Sequence, residues 1–316
     1  MTVKSVNTRF RAYQLDTAGS SFSYCSGNEF TLIEARFYEA NEESISQELT
    51  VCGRERINTL HITSWDQDHC DPRQLEKILH RLKPKKIEYP GYEPHTDSGK
   101  ESLAIIKAYK ATPDRPSELV SVTPEYIASL ESATNYGYNH ILYHPKFIDH
   151  DCANNNSTVK QFRSGSFNVL SLGDVESSQI ASYLRSMKTI HNEVDIMIMA
   201  HHGADNGFTT SAFIKKIHPT LAVATSNFGN QFDHPKPEIR ELLHKNDVKL
   251  FTTKTGDVIV RSIGGHTGQY EVINLKAGGA EVSSRYVSNA KKSEFLRHND
   301  DTLRDRRARH NRGPRH

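Results

Sequence analysis

A short loop sequence, SWDQDHCD at residues 64–71, concentrates side chains that bind metal ions. Asp66, Asp68 and His69 place two carboxylates and one imidazole within four residues. Mixed oxygen and nitrogen ligands suit Zn²⁺, Mn²⁺ or Mg²⁺ better than copper or an iron–sulfur cluster. The alternative is a polar loop whose aspartates cap the next helix, but Asp71 precedes a proline and already serves as that cap. The other two aspartates lack an obvious local role, so the segment is a candidate metal site.

Four further short motifs carry polar side chains that could reach such a site. They are Asn154-Asn155-Asn156-Ser157, Gly173-Asp174, Ala200-His201-His202-Gly203 and Asp233-His234-Pro235. A carboxylate after a strand can bridge two metal ions, and histidine is the commonest metal ligand. Each motif alone has a plain alternative: a turn acid at Asp174, a buried structural pair at His201 and His202, and a turn at the asparagines.

The motifs adjoin predicted strands, in a body that alternates strand and helix. A strand over 57–63 leads into D-x-D-H, and apolar residues at helical spacing predict a helix over 73–83. Ser98 and Glu101 form a capping-box pattern that predicts the start of another helix. A buried strand over 194–200 leads into A-H-H-G, and strands likewise precede G-D and H-P. Late βα units mixed with hairpins indicate α/β layers with mixed sheets.

The order of the motifs is more informative than any one of them. Along the chain, D-x-D-H follows a strand, N-N-x-S precedes a strand, and G-D, A-H-H-G and H-P each follow a strand. This order resembles the metallo-β-lactamase superfamily, and most closely the branch containing the nuclease-like domain of ComEC-type DNA-uptake competence proteins. The resemblance runs from about Thr59 to Gly256. It implies an α/β fold, a four-layer αββα sandwich of mixed sheets, with the site at the edges of the two sheets.

The resemblance also implies a ligand set and shows one departure from the family pattern. The branch usually carries H-x-D-x-D-H, and the first histidine of that pattern falls at Ser64, a poor metal ligand. His61 is discounted as a substitute because strand geometry places it on a different face from Asp66. The metal ligands that the resemblance assigns are Asp66, Asp68, His69, Asp174 and His202. Three outcomes stay open: one ion, two ions with an oxygen-rich first site, or a degenerate pocket without catalysis. The expected cofactor is a divalent metal, Zn or Mn.

The activity implied by the resemblance is metal-dependent hydrolysis of a phosphodiester, with a nuclease acting on DNA as the leading hypothesis. Asp66 would be a ligand or the general base, and Lys254 in TTKTGD would neutralise phosphate. The catalytic residues predicted are Asp66, Asp68, His202, His234 and Lys254. Two alternatives are a small-molecule hydrolase acting on a cyclic nucleotide or phosphate ester, and a degenerate binding subunit without catalysis. The same fold hosts several chemistries, so the superfamily does not fix the substrate.

The last stretch, residues 284–316, differs in charge from the rest. The chain has 40 Lys and Arg against 38 Asp and Glu, a net charge of +2. The stretch alone has ten basic and four acidic residues, so it carries +6 and the residues before it carry −4. We predict a metallo-β-lactamase-like domain over 1–283 and a basic, flexible tail over 284–316. The tail would bind nucleic acid, or a protein partner if the chain is the effector subunit of a larger complex.

Composition and patterning exclude several other classes of protein. Apolar residues make up 36% of the chain, enough for a sizeable core. The most apolar stretch, 194–200, is far shorter than the roughly 20 residues that cross a bilayer, and the start has no apolar segment of the signal-peptide type. None of the four cysteines pair as C-x-x-C, which predicts reduced thiols rather than a zinc ribbon. We therefore expect a cytoplasmic protein that does not associate with membranes.

Overall fold

The computed structural model describes residues 6–110, 118–130, 140–191, 193–263 and 268–293. In these ranges the chain forms fifteen β-strands, arranged in two sheets, and seven α-helices. None of the helices in the described ranges is both long and apolar enough to cross a lipid bilayer.

Nine strands form the first sheet. They are β1 (Thr8–Ala12), β2 (Phe22–Ser26), β3 (Glu29–Ile33), β4 (Thr59–His61), β5 (Lys86–Pro90), β6 (Glu118–Val122), β13 (Val258–Ile263), β14 (Gln269–Leu275) and β15 (Val282–Asn289). Their spatial order is β15-β14-β13-β1-β2-β3-β4-β5-β6. Neighbours from β15 to β3 are antiparallel, and neighbours from β3 to β6 are parallel.

Six strands form the second sheet. They are β7 (Ile141–His144), β8 (Val159–Phe162), β9 (Val169–Ser171), β10 (Ile196–Ile198), β11 (Leu221–Ala224) and β12 (Lys249–Thr252). Their order is β12-β11-β10-β9-β8-β7, with β9 to β12 parallel and β7 to β9 antiparallel. Both sheets are therefore mixed, as predicted. The carboxyl ends of the four parallel strands of this sheet lie along one edge, where loops can share a site.

Six of the seven helices in the described ranges cover the outer faces of the sheets, and α4 (Pro124–Leu130) packs between the edge strands β6 and β7. The other six are α1 (Glu39–Val51), α2 (Pro72–Arg81), α3 (Asp97–Lys110), α5 (Ser178–Ser186), α6 (Ser211–Ile217) and α7 (Pro237–Lys245). One apolar core joins the first sheet to α1, α2 and α3, and another joins the second sheet to α5, α6 and α7. A third core lies between the sheets and includes Phe10, Phe162 and Val223. These three cores define the four layers, which confirms the predicted αββα sandwich.

The sequence correctly predicts the residue that caps the start of α2, but the residue predicted to cap α3 is wrong. Asp71 caps α2 as predicted, since its carboxylate accepts a hydrogen bond from Gln74 N. At α3 the hydroxyl of Thr96 accepts a hydrogen bond from Gly99 N at 3.1 Å, and the helix begins at Asp97. Ser98 therefore lies inside the first turn and is not the capping residue.

The predicted boundary between residues 283 and 284 falls inside β15. This strand pairs with β14 from Val282 to Asn289 with one irregularity in register, and Lys291 N, just beyond it, donates a hydrogen bond to Asp195 Oδ1 at 2.9 Å. Residues 284–293 therefore belong to the folded domain, and the rest of the predicted tail lies outside the described residues. The sequence concealed the strand because most of its side chains are exposed, so it shows no alternation of apolar and polar residues.

Candidate metal centre

Four predicted ligands come together where the two sheets meet. Asp68 and His69 lie in the loop between β4 of the first sheet and α2. Asp174 follows β9, and His202 lies in the turn after β10, both in the second sheet. The centre is therefore built from carboxyl ends of strands in both sheets, the position that the resemblance implied.

The four side chains converge to metal-binding distances. Nε2 of His69 lies 3.0 Å from Oδ2 of Asp174 and 4.0 Å from Oδ2 of Asp68. Nε2 of His202 lies 3.1 Å from Oδ2 of Asp68 and 4.0 Å from Oδ2 of Asp174. Two ligands of one tetrahedral zinc ion would be about 3.4 Å apart. Within the described ranges, this is the single group of three or more histidine, cysteine or acidic side chains with such spacing.

The backbone at His202 adopts a conformation that few residues tolerate. His201 and His202 have φ values of 45° and 56°, in the left-handed region. Each such residue costs about 1–3 kcal/mol, which the surrounding structure has to offset. Gly203 follows with φ of 88°, and a Cβ atom there would lie 2.6 Å from Cβ of Pro235. The glycine of A-H-H-G thus allows the tight turn that directs the His202 ring toward Asp68.

Hydrogen-bond partners fix the orientation of both imidazoles. Nδ1 of His69 lies 3.2 Å from Oε1 of Glu34, and Oγ1 of Thr63 donates to the same carboxylate at 2.6 Å. Nδ1 of His202 lies 2.9 Å from Oγ1 of Thr225. Such partners occupy Nδ1 and leave Nε2 to bind a metal ion. Neither Glu34 nor Thr225 was among the predicted site residues, because neither belongs to a recognisable motif.

The residues present fit a divalent cation. Nε2 of His69 is buried and makes no hydrogen bond, although it lies close to the Asp174 carboxylate. A buried nitrogen without a hydrogen-bond partner is costly unless something binds it. Two imidazole nitrogens and two carboxylate oxygens form a donor set that suits Zn²⁺ or Mn²⁺.

Charge compensation within the centre shifts the pKa values of its members. Burial alone would lower the pKa of His69, but the carboxylates of Asp174, Glu34 and Asp68 outweigh it and raise that pKa well above 6.5. The pKa of His202 is also raised, against burial, chiefly by Asp174 and by its hydrogen bond to Asp68. Both imidazoles therefore bind a proton more readily than free histidine does when no metal is present, and a divalent cation would supply the positive charge in place of those protons.

Asp66 lies beside the four ligands but outside their group. Its Oδ2 accepts a hydrogen bond from Ser64 Oγ at 3.0 Å, and that hydroxyl lies 3.4 Å from the Tyr92 hydroxyl. Burial raises the pKa of Asp66. At the position where the family pattern has its first histidine, the chain therefore has a hydrogen-bonded group of Ser64, Asp66 and Tyr92.

His234 and Lys254, the remaining predicted residues, are not metal ligands in this arrangement. The His234 ring stacks on His202 with 6.3 Å between ring centroids and 12° between planes. A cavity of about 100 Å³ opens beside these rings. Its lining residues are Ala18, Gly19, Asp68, His201, His202, Thr225, Ser226, Asn227, Asn230, Phe232 and His234. Lys254 lies in a short 3₁₀ turn after β12 and is not part of this lining.

The asparagine motif is structural. Oδ1 of Asn155 accepts hydrogen bonds from the backbone N–H groups of Glu176 and Ser177, which lie just after Asp174. The side-chain amide of Asn156 accepts a hydrogen bond from Asp149 N through Oδ1 and donates one to Asp149 O through Nδ2. The motif therefore braces the loop that carries Asp174, and the turn hypothesis is the better description of its role.

Comparison with known proteins identifies a sequence relative and solved structures with a similar fold. No protein-family model matches the chain. It is 21% identical over 240 residues to ComE operon protein 3 of Bacillus subtilis (strain 168), an alignment that covers 74% of this chain and 28% of that protein. The chain thus spans less than a third of the length of this relative.

Two solved structures resemble the chain at 12% sequence identity. Igni18, a metallo hydrolase from the archaeon Ignicoccus hospitalis KIN4/I, has a TM-score of 0.48, with 79% of this chain and 98% of that chain covered. The E377D mutant of CmlA beta-hydroxylase has a TM-score of 0.45, with 83% and 55% covered. The sequence relative and the αββα layers support the metallo-β-lactamase-fold superfamily. Within that fold, the ligand cluster could hold a divalent cation.

Proposed function

We propose that the chain is a metal-dependent phosphodiester hydrolase that acts on nucleic acid, with DNA as the expected substrate. The observation that carries the proposal is the convergence of Asp68, His69, Asp174 and His202, with Nε2 of each histidine directed into the cluster. The motif order, which resembles the nuclease-like branch of the superfamily, supports a phosphodiester rather than a lactam or thioester. The donor set supports one Zn or Mn ion.

The cluster would bind the metal ion that the reaction requires. A divalent ion held there would lower the pKa of a bound water and stabilise negative charge on a phosphoryl oxygen. Asp68, His69, Asp174 and His202 would each contribute one ligand atom. Glu34 and Thr225 keep the two imidazoles in the tautomer that presents Nε2.

Neighbouring side chains supply proton transfer and hydrogen bonds. Because burial raises its pKa, the Asp66 carboxylate is a better proton acceptor than an exposed aspartate, and it is the expected general base. Burial, together with the positive charge of His202 and His201, lowers the pKa of His234 to about 4. The neutral His234 ring can donate one N–H to a phosphate or leaving-group oxygen. Lys254 follows β12 at the same sheet edge, where its charge would attract a longer polyanion.

The proposal is tested by metal analysis and by hydrolysis of several substrates. Protein purified without chelator should contain about one Zn or Mn ion per chain, the stoichiometry that one four-ligand site allows. Plasmid DNA, single-stranded oligonucleotides and bis(p-nitrophenyl) phosphate would be offered with Mn²⁺, Mg²⁺ or Zn²⁺. Hydrolysis of DNA supports the proposal. Hydrolysis of the small ester alone would favour the small-molecule alternative, and metal-free, inactive protein would favour the degenerate one.

Matched variants assign any activity to this centre. Asp174→Asn keeps the size of the side chain and removes a ligand charge, so metal content and hydrolysis should both be lost. The control is Asp247→Asn, an exposed aspartate between α7 and the amino end of β12, on the opposite edge of the sheet. Equal hydrolysis by wild type and Asp174→Asn would show that the activity belongs to another site or to a contaminant.

A further inference from the structure

Two phenylalanine side chains are exposed in one loop, and one of them, Phe232, lines the cavity beside the metal centre. Phe228 is 75% exposed and Phe232 is 58% exposed, the two highest values among aromatic residues in the described ranges. Both lie in the loop between β11 and α7, which also carries His234. Asn230 holds this loop in shape, since its Oδ1 accepts from His234 N at 2.7 Å and its Nδ2 donates to Asn227 O at 3.0 Å. The rings are thus displayed by a braced segment.

Phe232 is the outermost member of a stack of rings that ends at a metal ligand. Its ring packs on His234 with 5.6 Å between centroids and 24° between planes. His234 in turn stacks on His202 at 6.3 Å and 12°. Because only one face of Phe232 can pack on His234, the exposed side of the ring offers a place for a further flat ring. Aromatic side chains bind nucleobases in this way irrespective of sequence.

Two residues that line the cavity beside this stack, Ser226 and Asn227, each have a buried polar atom without a hydrogen-bond partner. Ser226 is more than nine-tenths buried, lines the cavity, and has an Oγ without a hydrogen-bond partner. Oδ1 of Asn227, another lining residue, is also buried without a partner. Leaving a buried hydroxyl and a buried amide carbonyl unpaired costs free energy, which a ligand that displaced the covering side chains and bonded to these atoms would recover. They are observations independent of the phenylalanines.

We infer that the Phe228–Phe232 loop binds an unpaired nucleobase, so that the centre acts on single-stranded nucleic acid. The inference rests on the proposed phosphodiester hydrolysis and names its substrate class. Within a duplex both faces of a base are covered by neighbouring bases, and exposing one face requires unstacking. An unpaired base stacks on Phe232 without that cost, while Ser226 Oγ and Asn227 Oδ1 bond to the same nucleotide. Its phosphate neighbours then lie close to His202 and the other ligands.

The experiment uses the full chain and oligonucleotides that contain 2-aminopurine, whose emission changes on stacking. Phosphorothioate linkages slow cleavage during the measurement. Single-stranded DNA, single-stranded RNA of the same sequence and the DNA duplex are compared. Phe232→Ala should weaken single-strand binding about 5- to 100-fold, the effect of losing one stacked base. Phe232→Trp should keep the emission change, whereas Phe232→Leu should lose it. Phe147→Ala removes an exposed phenylalanine that packs on His144 instead, and should bind like wild type.

Each outcome separates the inference from the proposed function. Phe232-dependent binding of single strands supports the inference, and the DNA and RNA arms show which sugar is preferred. Equal affinity for single strands and duplex, or unchanged binding by Phe232→Ala and Phe232→Leu, overturns it even if hydrolysis occurs. Phe232-dependent stacking without hydrolysis of any phosphodiester would retain the base-binding loop and reject the proposed activity.

Discussion

Replacement of Glu34 by glutamine should weaken metal binding 10- to 100-fold. The carboxylate is 1% exposed and lies 3.2 Å from Nδ1 of His69, while Thr63 donates to it through both N–H and hydroxyl groups. It holds the His69 ring in place and makes Nε2 a better electron donor. Loss of such a partner typically costs 10- to 100-fold in metal affinity, or about 1.4–2.7 kcal/mol.

The loss should depend on pH, and the direction follows from the electrostatics. Glu34 also contributes to raising the pKa of His69, so in the wild type protons compete strongly with the metal for this ring. Glutamine removes that contribution and makes His69 easier to deprotonate. The affinity ratio of wild type to variant should therefore be larger at pH 8, where proton competition is weaker, than at pH 6.

Metal affinity would be measured by competition with a chromophoric chelator at pH 6, 7 and 8. Glu48→Gln serves as the control, because Glu48 is equally buried but pairs with Arg9 and Arg11, away from the centre. It should lower stability without changing metal affinity. If Glu34→Gln bound metal as tightly as wild type at pH 8, Glu34 would have no role in orienting the ligand, and the reasoning would be wrong.

Three further predictions concern stability, stoichiometry and the chain terminus. Burial acts to lower the pKa values of His69 and His202, but nearby carboxylates raise them. Protonation of these two histidines therefore stabilises the metal-free protein fully below pH about 6.5, and this stabilisation is lost as the pH rises through their pKa values in the folded protein. The Tm in chelator should therefore fall as the pH rises above about 6.5. Ser64→His, which restores the family pattern, should raise the metal content per chain. Removal of residues 294–316 should flatten the salt dependence of DNA binding; a tail that contacts about five phosphates would contribute a slope of about −4 to −5 in log K against log salt.

Each of these has a control or an opposing result. Metal-loaded protein should not show the fall in Tm, and an identical fall in both forms would assign it to groups elsewhere. Unchanged metal content in Ser64→His would mean that Asp66 and Tyr92 already occupy the space of a second ion. If the truncated chain keeps its DNA affinity and salt slope but no longer co-purifies with a protein, the terminus binds that protein instead.

The sequence could predict those residues of the centre that are adjacent to one another or that directly follow a recognisable strand. Asp68 and His69 are adjacent, and Asp174 and His202 each follow a recognisable strand, so their positions at the sheet edge follow from the alternation of strands and helices. The orienting partners could not be predicted in this way. Glu34 belongs to the loop after a different strand, and its contact with His69 exists only because β3 and β4 are paired in parallel.

Two features of the fold were equally hidden from local patterns. The strand β15 is mainly held by backbone pairing to β14, and its exposed polar side chains look like those of a solvated extension. At α3, Thr96 and Ser98 are both capping residue types, and only the tertiary position of the preceding loop decides between them. Spacing predicts which residues form a motif, whereas packing decides which of two equivalent neighbours is used.

The distribution of the ligands over both sheets has a kinetic consequence. Asp68 and His202 are separated by 134 residues along the chain and meet only after the two sheets have packed together. An unfolded chain offers no preformed cluster, and closing so long a loop has an entropic cost that one ion does not remove. The ion should therefore slow unfolding without accelerating folding. In a stopped-flow experiment, the folding rates with and without metal should coincide, and only the unfolding rates should separate.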